Sequence, residues 1–258
     1  KDLERFASVS GKLVRARKKD IEAYITYMRS EGKSDSTISR SLSSLRLFYY
    51  YLESTGKIKT NPVKNIEKPK VERKIPEILT VEEVDKLLSM PDTASNKGLR
   101  DKAMLELLYA SGIKISEIIN LNVYDANLRN SSLFCRMRKI PIGKKAVSAL
   151  SAYLKKARPK MVSSKNETAL FINLDGKRMS RQGFWKIIKY YNELAKIKKE
   201  ITPQMLRHSF ASHLFENGAD LGTIQTLMGL SDPASTLIYT KMRENKIADT
   251  YKKAHPRA

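Results

Sequence analysis

Cysteine is almost absent from this sequence of 258 residues. The chain has one cysteine, Cys135, which excludes a disulfide scaffold and any zinc site built from several cysteines. Long apolar runs are also missing, because no stretch approaches the roughly 18 residues of a membrane span, and no signal peptide precedes the first helical segment. We therefore expect a soluble, cytoplasmic protein with no membrane partner.

Acidic residues are scarce relative to basic ones. The chain has 49 Lys and Arg against 27 Asp and Glu, a formal net charge of +22 at pH 7. Residues 1–79 hold 18 basic and 10 acidic side chains, so both parts of the chain are basic. This excess favours a polyanionic partner, most commonly nucleic acid. A lysine-rich solvated surface is the alternative. Membrane-surface binding is disfavoured because the basic residues are not confined to one amphipathic segment.

The first part of the chain has the pattern of a helical bundle. Apolar residues recur at helical spacing in 18–30 and again in 38–52, where Ser34 or Ser36 can cap the helix. A segment with two prolines, many charges and no helical period follows and predicts an extended linker. The predicted boundaries are a helical domain over 1–66, a linker over 67–79 and a second domain over 80–258.

Helix also dominates the second domain, with one small sheet. Thr80 and Glu83 form a capping box at its start. A buried helix beginning near Leu99 breaks at Ser111-Gly112, and residues 132–142 predict a short hairpin, although no typical turn residue is present. Further helices are predicted over 144–158, 180–196, 203–216, 220–229 and 232–252. The fold class is mainly α with a small antiparallel β-sheet in the C-terminal domain.

Polar side chains interrupt the apolar segments in the last third of the chain. Arg207 lies on an otherwise apolar helix, which is costly unless an anion or a salt bridge meets it. Gln204 is one turn earlier and projects on the same face. Tyr239 lies in an apolar stretch, and a packed tyrosine is its simplest interpretation. His208 points about 100° away from Arg207 on the helix, which favours a packed, hydrogen-bonded role.

Five segments of the sequence resemble the tyrosine recombinase (phage integrase) family, in particular its XerC/XerD members and most of all the XerD type. The segments are YASGIKISEIINL (109–121), RMSRQGFWKIIK (178–189), ITPQMLRHSFASHLFENGADLGTIQTLMG (201–229), STLIYT (235–240) and AHPRA (254–258). Their order and spacing match the catalytic domain of the family. The N-terminal part resembles, more weakly, its core-binding (SAM-like) domain. The resemblance implies a two-domain, C-shaped clamp around DNA.

The resemblance implies a site-specific recombinase that acts on double-stranded DNA. Such enzymes attack a phosphodiester with a tyrosine, which gives a 3′-phosphotyrosyl bond and a free 5′-hydroxyl without a metal or other cofactor. The implied role is chromosome-dimer resolution, or integration and excision of a mobile element. The implied partners are a recombination site, a homo- or hetero-tetramer with a related recombinase, and a DNA translocase as activator. The last helix, about 244–253, would pack into a neighbouring protomer.

The matching positions keep the nucleophile and one arginine but depart elsewhere. Tyr239 stands at the nucleophile position and Arg207 at that of the second arginine. Lys114, Gln204 and Leu230 stand where the family has arginine, histidine and histidine. Lysine loses the planar fork of arginine, glutamine cannot titrate near neutral pH, and leucine donates no hydrogen bond.

The hairpin is a further departure from the family. The hairpin over 134–140 is several residues shorter than the hairpin of the family, and it lacks the tip that carries a lysine there. This tip is either deleted or left out of this chain. Arg136, Arg138 and Lys139 are the cations nearby. Removal of one preorganised donor costs about 10²–10³ in rate, so the resemblance implies a degenerate active site. The alternative function is a weak or inactive DNA-binding homologue that serves as half-site binder, regulator or scaffold.

Residues for DNA binding are predicted in both domains. Two arginines lie among small serines on the second helix of the first domain, which would let that helix approach a phosphate backbone. Three basic residues lie in the segment that resembles the DNA-facing motif of the family, where Ser180 can cap a helix. The five predicted residues are Arg40, Arg46, Arg178, Arg181 and Lys186.

Overall fold

The computed structural model describes residues 1–71, 75–230, 232 and 235–242. The chain divides into two compact units, Lys1–Lys74 and Ile75–Ala258. The domain and linker boundaries given above stay a prediction. In the described part of the chain, no helix is both long enough and apolar enough to span a bilayer.

The first unit is helical, as predicted. Its helices are α1 (Asp2–Ser10), α2 (Lys18–Ser30) and α3 (Asp35–Ser54). Ser34 caps α3 and accepts a hydrogen bond from the backbone N–H of Thr37 at 3.3 Å. The apolar stripe of α3 is buried against α1 and α2, and the Tyr24 hydroxyl lies 3.1 Å from Ser41 Oγ inside this core. The periodicity of the sequence therefore identified the faces that pack.

The second unit is mainly helical with one small sheet, which confirms the predicted fold class. The strands β1 (Ala126–Asn127), β2 (Ser132–Cys135) and β3 (Arg138–Pro141) pair antiparallel in the order β1-β2-β3. The helices are α4 (Val81–Ser89), α5 (Asn96–Ser111), α6 (Ile115–Ile118), α7 (Lys144–Ala152), α8 (Arg158–Met161), α9 (Arg181–Ala195), α10 (Pro203–Glu216) and α11 (Leu221–Met228).

The predicted hairpin is present and closes with a two-residue turn. Cys135 pairs with Arg138, and the intervening Arg136 and Met137 have φ values of 46° and 64°. Positive φ at both central residues is the signature of a type I′ turn, which matches the twist of paired strands. The hairpin therefore closes directly between β2 and β3, without a longer tip.

Two predicted helices differ from the structure. The helix predicted over 144–158 is interrupted by a π-helical turn at Tyr153–Ala157. Pro159 has no N–H to donate to the preceding turn, so a regular helix cannot continue through it and α8 begins separately. The helix predicted over 232–252 is helical at 237–242 among the described residues, and 232, 235 and 236 are not α-helical. Residues 233–234 and 243–252 lie outside the described residues.

The C-terminal end of α5 approaches α10 closely. Gly112 ends α5 with φ of 57°, and a Cβ at this position would lie 2.1 Å from the ring of Phe210. Both the left-handed backbone and the missing side chain are therefore needed here. This contact brings the carbonyl of Gly112 to the face of α10 that carries the candidate site.

Candidate active site

Helix α10 carries three polar side chains that form the centre of the site. Pro203 starts the helix, and Thr202 caps it by accepting a hydrogen bond from the N–H of Met205 at 3.0 Å. Gln204 is exposed, Arg207 is buried and His208 is half-buried. Their spacing of three and four residues places Gln204 next to both of the others along the helix.

Arg207 is held by the ends of two helices. Its side chain is 2% exposed, and it donates to the carbonyls of Gly112 at 2.5 Å and Met228 at 2.7 Å. These carbonyls lie at the C-termini of α5 and α11, where the helix dipole is negative. Burial lowers the pKa of the guanidinium, whereas Glu117 and Tyr239 raise it. The buried arginine thus has backbone partners that keep its position fixed.

Glu117 connects the hairpin to the site. One carboxylate oxygen accepts from the backbone N–H of Lys114 at 2.8 Å. The other accepts from Arg138 at 2.7 Å, and Arg136 lies 3.9 Å from the same oxygen. Arg138 also donates to the carbonyl of Leu227 at the end of α11, at 2.5 Å. Arg138 in the hairpin therefore already has two structural partners, a carboxylate and a backbone carbonyl.

A cleft of about 250 Å³ opens beside α10. Three of the predicted catalytic residues line it, namely Lys114, Gln204 and Arg207. Arg181, predicted to bind DNA, and Trp185 on α9 also line this cleft. Cations and an amide that surround one opening are suited to the nonbridging oxygens of a phosphodiester.

Tyr239 is connected to this cleft through His208. The Tyr239 hydroxyl lies 2.9 Å from His208 Nδ1, and His208 Nε2 lies 3.1 Å from the side-chain amide of Gln204, which lines the cleft. The hydroxyl also lies 3.8 Å from the sulfur of Met228, whose carbonyl binds Arg207. The structure therefore places Tyr239 and Arg207 against the same residue.

Burial determines the ionisation of both rings. Tyr239 is 2% exposed, and burial raises the pKa of its phenol to about 12, although Arg207 acts in the opposite direction. Burial, together with the charge of Arg207, lowers the pKa of His208. At neutral pH the pair is therefore a neutral phenol and a neutral imidazole.

Leu230 lies on the apolar side of Tyr239. It is half-buried and packs with Phe210, Ile224 and Met228 in the cluster that also contains Tyr239. Its carbonyl accepts from the Gln225 amide at 3.2 Å. The Leu230 side chain thus contributes packing beside Tyr239 rather than a proton or a hydrogen bond.

The five predicted DNA-binding residues have different environments. Arg40 forms an ion pair with Asp2, and Arg46 donates to the carbonyl of Ile66. Arg178 donates to two carbonyls and to the Asn122 side chain, at 2.6 Å for the latter. Arg181 and Lys186 are exposed on α9, where Ser180 caps the helix as predicted, by accepting from the N–H of Gly183 at 3.0 Å. Binding of DNA by these residues stays a prediction.

The sequence interpretation missed His208, Trp185 and Glu117 as neighbours of the site. The spacing of Gln204 and His208 indicates that they are adjacent on a helix, and that signal was available. The contact between His208 and Tyr239 joins residues 31 positions apart, and only the tertiary fold brings them together.

Comparison with known proteins gives consistent matches along the chain. The model of the phage integrase family matches residues 77–246, and that of the phage integrase N-terminal SAM-like domain matches residues 1–56. The tyrosine recombinase XerD of Listeria innocua serovar 6a is 43% identical over 245 residues, which cover 93% of this chain and 82% of the relative.

The solved structures that resemble the chain include two recombinases. The crystal structure of XerA recombinase matches with a TM-score of 0.61 at 25% identity and covers all of this chain and 90% of its own. The XerH site-specific recombinase, solved with a palindromic difH substrate as a post-cleavage complex, matches with a TM-score of 0.77 at 20% identity. It covers 97% of this chain and 76% of its own, and at this identity it supports the fold alone.

Proposed function

The chain belongs to the phage integrase family of tyrosine recombinases, and we propose that it cleaves and rejoins DNA strands at a specific site with Tyr239 as the nucleophile. The observation that carries this proposal is the position of Tyr239. Its hydroxyl contacts His208 and Met228, next to the buried Arg207 and the cleft lined by Lys114. A phosphodiester in that cleft would meet the two cations, and the proposed nucleophile lies one side chain away, behind His208.

The chemistry follows from the charges around the cleft. Attack by the phenol oxygen forms an O–P bond and breaks the bond from phosphorus to the 5′ oxygen, so the intermediate is a 3′-phosphotyrosine. Negative charge grows on the nonbridging oxygens in the transition state. Arg207 and Lys114 would stabilise this charge, and the Gln204 amide would donate a hydrogen bond to it. Attack by a 5′-hydroxyl reverses the step and rejoins the strand.

We further propose that the site is degenerate. Lys114 offers a single ammonium where a guanidinium fork would bind two oxygens, and Leu230 offers no donor. In the hairpin, Arg138 is engaged by Glu117 and by a backbone carbonyl. Each lost donor costs about 10²–10³ in rate, although such losses do not simply multiply. Cleavage is therefore expected to be slow.

A second candidate function is that of a half-site binder, regulator or scaffold that does not cut DNA. The burial of Tyr239 favours it, because a hydroxyl with 2% of its residue exposed must move before it can attack a phosphate. Both terminal nitrogens of Arg207 already have carbonyl partners. In this function the cleft would bind phosphate without reacting with it.

The biological setting is proposed from the relatives. The XerD relative supports a recombination site in duplex DNA as the partner. Chromosome-dimer resolution, or integration and excision of a mobile element, is the process that fits such a site. Assembly into a tetramer with a related recombinase and activation by a DNA translocase are parts of the same proposal.

A suicide substrate tests the proposal. The probe is a duplex selected from a randomised inverted-repeat library and nicked in its central region, so that a cleaved strand diffuses away and covalent protein accumulates. We expect a slow covalent adduct that is lost in Tyr239→Phe and retained in the control Tyr124→Phe, whose ring is 74% exposed. Site-specific binding with no adduct under any salt or partner condition would favour the non-cutting function. Binding without site preference would overturn both.

A further inference from the structure

The imidazole of His208 lies between the proposed nucleophile and the cleft. Its Nδ1 is 2.9 Å from the Tyr239 hydroxyl, and its Nε2 is 3.1 Å from the Gln204 amide. The two rings are inclined by 51° with their centroids 5.9 Å apart. Gln204 is exposed at the cleft, His208 is half-buried and Tyr239 is buried. The three side chains therefore form a hydrogen-bonded path from the phenol to the site where a phosphate would bind.

The ring of His208 can either donate to the phenol or accept from it. With the Gln204 nitrogen donating to Nε2, the proton of a neutral imidazole lies on Nδ1 and points at the phenol oxygen. A half-turn of the Gln204 amide presents its oxygen instead, which accepts from Nε2–H and leaves the lone pair of Nδ1 for the phenolic proton. The amide can thus support either tautomer, and the second is the one in which His208 acts as a base.

The other candidate side chains are not suited to accept the phenolic proton of Tyr239. Gln204 cannot take up a proton near neutral pH, and Leu230 has no group to do so. Arg207 is permanently charged and has no acceptor atom. His213 bonds instead to the Tyr109 hydroxyl, at 2.8 Å.

We infer that His208 accepts the phenolic proton of Tyr239 when the phenol oxygen attacks phosphorus, an inference that rests on the function proposed above. In this step the O–H bond of Tyr239 breaks and its proton moves to Nδ1, which gives an imidazolium. The oxygen forms its bond to phosphorus, and the 5′ oxygen leaves with the electron pair of its own bond to phosphorus. This 5′ oxygen takes a proton from solvent water, which leaves a hydroxide ion in the solvent. In the rejoining step the attacking 5′-hydroxyl gives its proton to the solvent hydroxide, and the imidazolium returns its proton to the phenol oxygen as the bond from that oxygen to phosphorus breaks.

Two substitutions of His208 separate proton transfer from packing. His208→Phe keeps a ring of similar size and removes both nitrogens. His208→Asn places an amide near the position of Nδ1, so it preserves a hydrogen bond to the phenol but cannot take up its proton. We expect both variants to form the adduct on the nicked duplex about 10²-fold more slowly, the usual contribution of a positioned base. The control His213→Asn should react at the rate of the unsubstituted chain.

A more acidic phenol supplies the decisive comparison. Replacement of Tyr239 by 3,5-difluorotyrosine reduces the need for a base. In the His208→Asn variant it should therefore raise the rate of adduct formation at least about tenfold, whereas in the chain that keeps His208 it should change this rate little. An unchanged or faster rate in both variants would overturn the inference, as would a loss that the fluorinated residue does not restore. Thermal unfolding of His208→Asn checks that the variant is folded.

The failure of this inference differs from that of the proposed function. If the unsubstituted chain forms no adduct, cleavage by Tyr239 is overturned and the proton transfer with it. If the unsubstituted chain forms the adduct and the His208 variants match its rate, the role of His208 alone is overturned.

Discussion

At the scale of single residues, Lys114 limits how the cleft can bind a phosphate. It is exposed at the N-terminus of α6 and lines the cleft with Gln204 and Arg207. An ammonium is a point charge, whereas a guanidinium binds two oxygens in one plane. Arginine at position 114 is therefore expected to bind a phosphate better than lysine does.

We predict that Lys114→Arg combined with Gln204→His and Leu230→His raises the rate of adduct formation by at least about tenfold. The three changes supply a guanidinium fork, a side chain that titrates near neutral pH and a new donor near the transition state. Lys114→Arg alone should give part of this gain. The control Lys145→Arg, an exposed side chain near Asp85, should leave the rate unchanged. Rates on the nicked duplex provide the measurement, and no gain in the triple variant would contradict the assignment of these positions.

The residues that the sequence analysis singled out do lie close together. Lys114, Gln204 and Arg207 line one cleft, and Tyr239 contacts the same methionine as Arg207. The spacing within α10 was readable because it depends only on the helical period. The partners of Arg207 could not be predicted from the sequence. They are backbone carbonyls at two helix ends, and every residue type has such a carbonyl.

At the scale of elements, the hairpin departs most from what residue type would favour. Its turn uses Arg136 and Met137 in left-handed backbone, a conformation that costs about 1–2 kcal/mol for a residue with a side chain. Glycine adopts it readily. Met137 is 89% exposed, so its side chain contributes little packing.

We predict that Met137→Gly raises the free energy of unfolding by about 1 kcal/mol, because the strained backbone is relieved without loss of buried surface. Urea unfolding followed by circular dichroism measures the change. The control Lys139→Gly, in the adjacent strand β3, should lower the free energy of unfolding, since glycine weakens a strand. A loss of stability in Met137→Gly would contradict the account of the turn.

The helices were predicted more accurately than the sheet. The apolar stripes of α2 and α3 and the capping box of Thr80 are local signals, and the structure contains each of them. Strand β1 has two residues, Ala126 and Asn127, which is too short for any alternation to be visible. The π-helical turn before Arg158 also has no local signature beyond the proline that follows it.

At the scale of the whole molecule, buried phenols control the response to alkali. Burial raises the pKa values of Tyr49, Tyr153 and Tyr239 to about 12, from an ordinary value near 10. Burial, with the nearby Asp101, raises that of Tyr191 as well. A group whose pKa is higher in the folded state stabilises the fold fully below its unfolded value, and this contribution is lost as the pH rises through the folded value.

We predict that the free energy of unfolding falls steeply between pH 10 and pH 12 as these phenols are forced to ionise. Near-ultraviolet absorbance should show the exposed tyrosines ionising first and the buried ones only together with unfolding. Circular dichroism on the same samples reports the fold. Ionisation of all 12 tyrosines near pH 10 with the fold intact would contradict the burial described here.

The positive net charge is shared by both parts of the chain. Basic residues exceed acidic ones in both parts of the sequence, and the two-domain organisation was inferred from the proline-containing, charged segment between them. Net charge favours a polyanion as the class of partner because the Coulomb interaction with a polyanion depends mainly on the sum of charges. It could not predict which arginines are free, since Arg178 is occupied by contacts within its own unit.

The central claim is that the Tyr239 oxygen becomes bonded to a DNA 3′-phosphate. Mass spectrometry of the adduct from the nicked duplex tests it most directly, after digestion with trypsin and nuclease. The tryptic peptide 208–241 contains a single tyrosine, Tyr239. We predict a nucleotide attached to this peptide through that tyrosine. A nucleotide on any other peptide would contradict it.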